Sequence, residues 1–173
     1  MKIPTLLLVP ASILTLGLLA HAEPLQVGAA APAASGVDQE GNAVDFQAIY
    51  AKGPTLVYFY PKADTPGCTK EGCSIRDNWS ALQTKGIQVI GVSEDTVGEE
   101  KAFHDKFKFP FALVADHDGK VATAFGVPTN GGHAKRQSFL IKDGKIIWNM
   151  LDKTTTETHA TDVLKAYEEL SKK

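Results

Sequence analysis

The stretch TLVYFYPKADTPGCTKEGC, residues 55–73, carries the pattern that decides the fold. Its first part, Thr55-Leu-Val-Tyr-Phe-Tyr60, is β-branched and aromatic, with no polar alternation after Thr55. Such a run suits a strand buried on both faces. From residue 67 to about 84 the character turns helical. Ile75, Trp79 and Leu82 recur at i, i+4 and i+7, and Lys85-Gly86 stops the helix. Ile87-Gln-Val-Ile-Gly-Val-Ser93 then reads as a second buried strand. Strand, helix and strand in that order predict a right-handed crossover and a parallel pair.

Working outward, a helix is expected from Gly98 to about Phe107, with Ala102, Phe103 and Phe107 as its apolar stripe. Phe111–Ala115 reads as a short strand, and Asp116-His-Asp-Gly119 as the cap of a short helix ending at Phe125-Gly126. Gln137–Ile141 and Ile146–Met150 flank Lys142-Asp-Gly-Lys145, the signal of an Asp-Gly hairpin. Residues 158–173 form a closing amphipathic helix with Val163, Leu164, Tyr167 and Leu170 inward. On the other side, residues 23–36 are rich in Ala, Pro and Gly and read as an irregular lead-in. Asp38-Gln-Glu-Gly-Asn42 is a turn. A βαβ unit followed by a ββα unit predicts an α/β, thioredoxin-like fold: a central mixed sheet flanked by helices, in one domain over residues 23–173.

The first 22 residues differ from the rest. Lys2 is followed by an uncharged, leucine-rich run from Ile3 to Ala20, and Ala20-His-Ala22 offers small residues where a signal peptidase inspects. This predicts a secretory leader, residues 1–22, cleaved after Ala22. A retained membrane anchor is the alternative, but Pro4 and Pro10 interrupt a run barely long enough to span a bilayer. The expectation is an exported protein of the bacterial periplasm with no stable membrane contact after cleavage. Removing Lys2 from the 18 basic residues leaves 17 against 20 acidic ones, a net charge of −3. That balance, without any basic run, gives no footprint for nucleic acid.

The chain has two cysteines, Cys68 and Cys73. In an exporting compartment the plain reading of such a pair is a structural staple. Cys68, however, falls in the first turn of the helix that follows the first buried strand. Free backbone N–H groups and the helix dipole favour negative charge there, so the pKa of Cys68 should drop and its thiol should be reactive. Thr65, three residues earlier, can point its hydroxyl at the same space. Pro61 and Pro66 stiffen the loop, and Gly67 lets backbone come close. A tight loop alone explains the prolines and the glycine, but not a thiol at the helix start.

These residues carry a resemblance. Pro61-x-x-x-Thr65-x-x-Cys68 matches the signature of peroxiredoxins, and Asp64-Thr-Pro-Gly-Cys-Thr69-x-Glu71-x-Cys73 resembles the peroxiredoxin Q, or bacterioferritin comigratory protein, branch. The similarity runs from Val27-Gly-Ala-Ala-Ala-Pro32 to the last helix. It implies that Cys68 attacks a hydroperoxide and becomes a sulfenic acid. Cys73 then condenses with it to a disulfide, and a thioredoxin-like reductant restores both thiols. The family's arginine precedes an Arg-x-Ser/Thr-Phe-Leu-Ile strand, and Arg136-Gln-Ser-Phe-Leu-Ile141 matches it. The resemblance thus gives Thr65 and Arg136 the task of orienting peroxide and stabilising thiolate, with Pro61 shaping the loop. It implies no cofactor, and a monomer, because the resolving cysteine lies in the same chain.

Helix geometry constrains the second step. Residues five apart in an α-helix have Cα atoms about 8–9 Å apart and face different sides, whereas a disulfide needs less than about 7 Å. If both cysteines are helical in the reduced state, the helix must therefore unwind locally before they bond. Gly72, which costs roughly 1 kcal/mol against alanine in a helix interior, is expected to ease that opening. His104, His117, His133 and His159 show no ligand spacing, so no metal site is expected. Thr129-Asn-Gly-Gly-His133 leads to Arg136 and either borders the site or is a linker. Two rival functions remain: an exported thiol–disulfide oxidoreductase, disfavoured by the Cys-x-x-x-x-Cys spacing, and a non-enzymatic domain with one structural disulfide.

Overall fold

A computed structural model describes residues 23–152 and 155–172. In chain order it contains β1 (Ser35–Val37), β2 (Ala43–Asp45), α1 (Phe46–Tyr50), β3 (Thr55–Phe59), α2 (Pro66–Asp77), α3 (Trp79–Thr84), β4 (Gln88–Ser93), α4 (Val97–Phe107), β5 (Ala112–Ala115), α5 (Lys120–Phe125), β6 (Gln137–Lys142), β7 (Lys145–Met150) and α6 (His159–Leu170). Residues 1–22, expected from the sequence to be a leader, lie outside the described residues.

All five residues of β3 are buried, and its four apolar residues serve two cores in alternation. Val57 and Phe59 pack with Phe46, Val114, Val121 and Phe125 on one face. Leu56 and Tyr58 pack with Ile75, Leu82, Phe103 and Val163 on the other. Burial on both faces explains an apolar run without polar alternation. The sheet order is β5-β4-β3-β6-β7. β3–β4 and β4–β5 are parallel, whereas β3–β6 and β6–β7 are antiparallel. The mixed sheet and its flanking helices match the thioredoxin-like expectation. The turn between β6 and β7 puts Asp143 at φ 51° and Gly144 at φ 70°, the left-handed pair that an Asp-Gly hairpin requires.

Three local features differ from the sequence reading. The lead-in is not wholly irregular: β1 pairs with β2 around a turn in which Asp38 Oδ1 accepts the N–H groups of Glu40 and Asn42. Asp45 then caps the short α1, its carboxylate accepting the Gln47 N–H at 2.9 Å. The helix expected to run to about residue 84 breaks at Asn78 into α2 and α3. There the Asn78 amide donates back to the Ser74 carbonyl at 2.9 Å. Such local side-chain bonding competes with helix continuation.

Candidate active site

Cys68 is the third residue of α2, after Pro66 and Gly67, and is 2% exposed. Proline at the first helical position needs no N–H partner, and its fixed φ starts the helix. Cys68 therefore lies in the first turn of α2, where unpaired backbone N–H groups and the helix dipole favour a negative charge.

The register of β6 against β3 brings in the cation. Phe59 pairs with Gln137, so Arg136 stands opposite the chain as it leaves β3 for the 61–65 loop. Its Nη2 donates to Cys68 Sγ at 3.2 Å. Gly67 lies beside the same guanidinium: a Cβ at that position would touch Nη2 at 3.4 Å. Arg136 Nη1 donates to Glu71 Oε2. Burial works against the charge of Arg136, but the carboxylate of Glu71 and then the Cys68 sulfur outweigh it and hold its pKa above its ordinary value.

Glu71 and His159 had no role in the sequence reading. Glu71 lies one turn after Cys68 on α2, on the same helical face, and is fully buried. His159, also fully buried, opens α6 and places Nδ1 3.0 Å from Glu71 Oε1, close enough for an ion pair but not aligned as a hydrogen bond. Its Nε2 is 2.9 Å from Ser138 Oγ on β6. The spacing from Cys68 to Glu71 could have flagged the carboxylate. Nothing in the sequence pairs it with a histidine 88 positions away. The Tyr58 ring meets His159 edge-on at 5.8 Å. Burial, then the charges of Glu71 and Glu100, push the Tyr58 phenol well above its ordinary pKa, so it stays protonated.

The 61–65 loop is held at several points. The Ala63 N–H and the Lys62 ammonium donate to Asp95 at 2.7 and 3.1 Å. Lys106 pairs with Asp64, whose φ is 56°. The Thr65 hydroxyl donates to the Lys62 carbonyl at 2.9 Å; no hydrogen bond links it to Cys68 among the described residues, and its oxygen lone pairs remain as acceptors. The Pro61 carbonyl is 3.0 Å from His133 Nδ1. The 129–133 loop thus borders the site, lining a cavity of about 460 Å³ with Pro61, Pro128 and Lys135. A roomier cavity of about 520 Å³ lies between β1 and residues 115–120 and contains neither cysteine. Small size suits a ligand of a few atoms, so volume does not locate this site; the convergence of sulfur, guanidinium and helix start does.

Cys73 lies on the same helix as Cys68, partly buried beside the second core, and both thiols are free. Gly72, between Glu71 and Cys73, corrects an expectation. It is buried, and a Cβ there would meet Phe109 Cζ at 2.6 Å. The glycine is required by the ring packed on it, so its helix propensity alone does not decide how easily α2 opens.

The AhpC/TSA family model matches residues 27–149. The chain is 36% identical over 146 residues to the chloroplastic peroxiredoxin Q of Oryza sativa subsp. japonica, covering 83% of this chain and 67% of that one. Among solved structures, peroxidoxin BcpB of Mycobacterium tuberculosis aligns with a TM-score of 0.80 at 29% identity, over 84% of this chain and 98% of that one. Peroxiredoxin Q of Xanthomonas campestris aligns with a TM-score of 0.75 at 29% identity, over 84% and 96%. With the family match, the relatives and the fold in agreement, the chain belongs to the AhpC/TSA family, in its peroxiredoxin Q/bcp branch of thiol peroxidases.

Proposed function

We propose that Cys68 is the thiolate that attacks the peroxide and Cys73 the thiol that resolves it. The Arg136 guanidinium donating to the Cys68 sulfur at 3.2 Å carries this reading. The Cys68 sulfur attacks the terminal peroxide oxygen, an S–O bond forms and the O–O bond breaks. Cys68 becomes a sulfenic acid, and the departing hydroxide or alkoxide takes a proton to leave as water or alcohol. Arg136, already charge-compensated by Glu71, keeps donors aimed at the sulfur, where negative charge shifts onto the oxygens in the transition state. Thr65 offers its lone pairs to the peroxide hydrogen, and Pro61 fixes the wall of the pocket. The Cys73 thiol then attacks the sulfenic sulfur, water leaves and a Cys68–Cys73 disulfide forms. A dithiol reductant of the thioredoxin type reduces it by exchange and is itself oxidised.

The regular path of α2 through both cysteines supports a local unwinding before the disulfide closes, since residues five apart in a helix lie too far apart to bond. Several wider readings belong to the same proposal: residues 1–22 as a cleaved leader, residues 23–173 as the working domain, a periplasmic location and a monomer. The composition of the leader supports export. Among the described residues no helix is long and apolar enough to cross a membrane. The test is peroxide consumption with a dithiol reductant, for residues 23–173 and for Cys68→Ser. Turnover that depends on Cys68 supports the reading; insulin reduction without peroxide consumption would favour the oxidoreductase alternative.

A further inference from the structure

A second buried polar cluster lies behind the 61–65 loop, and the mechanism above does not use it. Tyr60, Ser93 and Glu100 are fully buried, and Asp95 is 6% exposed. The Tyr60 hydroxyl donates to Glu100 Oε2. Ser93 Oγ lies 2.5 Å from Glu100 Oε1 and 2.7 Å from Asp95 Oδ2, and it accepts the Asp95 N–H at 3.1 Å.

A serine hydroxyl has one hydrogen and two acceptor sites. Its hydrogen can reach only one of the two carboxyl groups. The other contact is attractive only if that carboxyl brings a proton of its own. Asp95 is the anion, because it also receives the Ala63 N–H and the Lys62 ammonium. Glu100 has the Tyr60 hydroxyl and no cation among its bonded partners. With the proton on Glu100 Oε1, the bonds run Glu100 to Ser93 to Asp95, and every polar atom of the chain is satisfied.

We propose that Glu100 is a positioning residue of the peroxide-reducing site, holding the 61–65 loop in its protonated form through Ser93 and Asp95. From Asp95 the hold passes to Ala63 and Lys62, and the Lys62 carbonyl takes the hydroxyl of Thr65, which opens α2 three residues before Cys68. The titratable and charged groups around Glu100 are Tyr58 on β3, Tyr60 just after it, Lys62 in the loop, Asp95 after β4 and Glu99 on α4 itself. Burial raises the Glu100 pKa to about 7; the hydrogen bond from Tyr60 opposes the rise, and the charges of Asp95 and Glu99 add to it. As pH rises through neutrality, two carboxylates face one serine hydrogen. One bond of the chain is lost, and the loop carrying Thr65 loosens.

The inference rests on the peroxidase reading, and the experiment separates the two. The rate of peroxide attack is measured for wild type, Glu100→Gln and Glu100→Ala across neutral pH. A glutamine can donate to Ser93 and accept from Tyr60 at every pH. The ratio of the Glu100→Gln rate to the wild-type rate removes any pH dependence that the two proteins share. It should be near one at about pH 6 and rise about fivefold by about pH 8.5, the effect of one hydrogen bond. Glu100→Ala should be slow at both. A ratio that stays flat with pH overturns the proposal. So does a carbon-13 carboxyl titration of the wild-type protein that places Glu100 in the ordinary carboxylate range. Absence of peroxide reduction in wild type would overturn the peroxidase reading instead, and the carboxyl titration would still decide where the proton sits.

Discussion

Replacing Gly72 by alanine sets helix propensity against packing at the helix that must open. Propensity alone stabilises the wound helix by about 1 kcal/mol. The added Cβ, however, would sit 2.6 Å from Phe109 Cζ and 2.9 Å from its Cε1, whereas carbon atoms pack at about 3.5–4.0 Å. The ring would have to retreat by about 1 Å. It is 3% exposed and has Phe103, Phe107 and Phe111 at centroid distances of 4.9, 5.9 and 5.3 Å. Overpacking of this kind costs about 1–3 kcal/mol, so the net effect is a loss of about 1 kcal/mol. The reduced Gly72→Ala protein should melt about 3 °C lower. Because unwinding relieves the clash, disulfide formation should run up to about fivefold faster. Stopped-flow tryptophan fluorescence should resolve a fast peroxide-dependent phase and a slower peroxide-independent one. Trp79, at the start of α3 and 5.9 Å from the Phe111 ring, is placed to report on the second phase. A raised melting temperature with a slower second phase would refute the packing argument and leave propensity in control.

Other expected outcomes follow from the same contacts. Cys73→Ser should keep the first peroxide turnover and accumulate a dimedone-reactive sulfenic acid on Cys68, while turnover with a dithiol reductant falls; normal recycling would remove Cys73 from the resolving role. Arg136→Ala should slow peroxide attack by orders of magnitude and also destabilise the fold by about 3 kcal/mol, because it strips the partner from a buried carboxylate. Adding Glu71→Gln should restore stability without restoring activity, and Arg136→Lys should rescue only partly, since an ammonium lacks the planar fork. Glu100 should make stability fall with pH: its folded pKa of about 7 lies above the ordinary 4.5, so its contribution is complete below about pH 4.5 and lost as pH rises to about 7. At about 1.36 kcal/mol per unit that is up to about 3 kcal/mol. Denaturant unfolding at several pH values should show the fall in wild type relative to Glu100→Gln.

The buried strands were legible because a segment covered on both faces cannot alternate, and Thr55–Tyr60 does not. The β6–β7 hairpin was legible because few dipeptides other than Asp-Gly tolerate two left-handed residues in succession. Cys68, Thr65, Pro61 and Arg136 could be named from a short signature and a strand motif. The break at Asn78 was hidden, because the Ile75, Trp79 and Leu82 stripe continues through it and the back-bond to Ser74 is a choice of rotamer. β1, β2 and α1 are too short to show a period. The groups behind Glu71 were out of reach for another reason. Ser138 and His159 come from β6 and α6, and only the packing of the last helix on the sheet brings His159 to Glu71. Gly72 misled because an inward-facing glycine and a merely weak helical residue look alike in sequence.

The most direct measurement is intact-protein and peptide mass spectrometry on residues 23–173, reduced and then treated with one equivalent of hydrogen peroxide. The account predicts loss of two hydrogens in the wild type with a Cys68–Cys73 crosslink. It predicts gain of one oxygen on Cys68 in Cys73→Ser, and no change with no peroxide consumed in Cys68→Ser. Peroxide consumption by Cys68→Ser at a rate comparable to wild type, or an oxygen found first on Cys73, would contradict it.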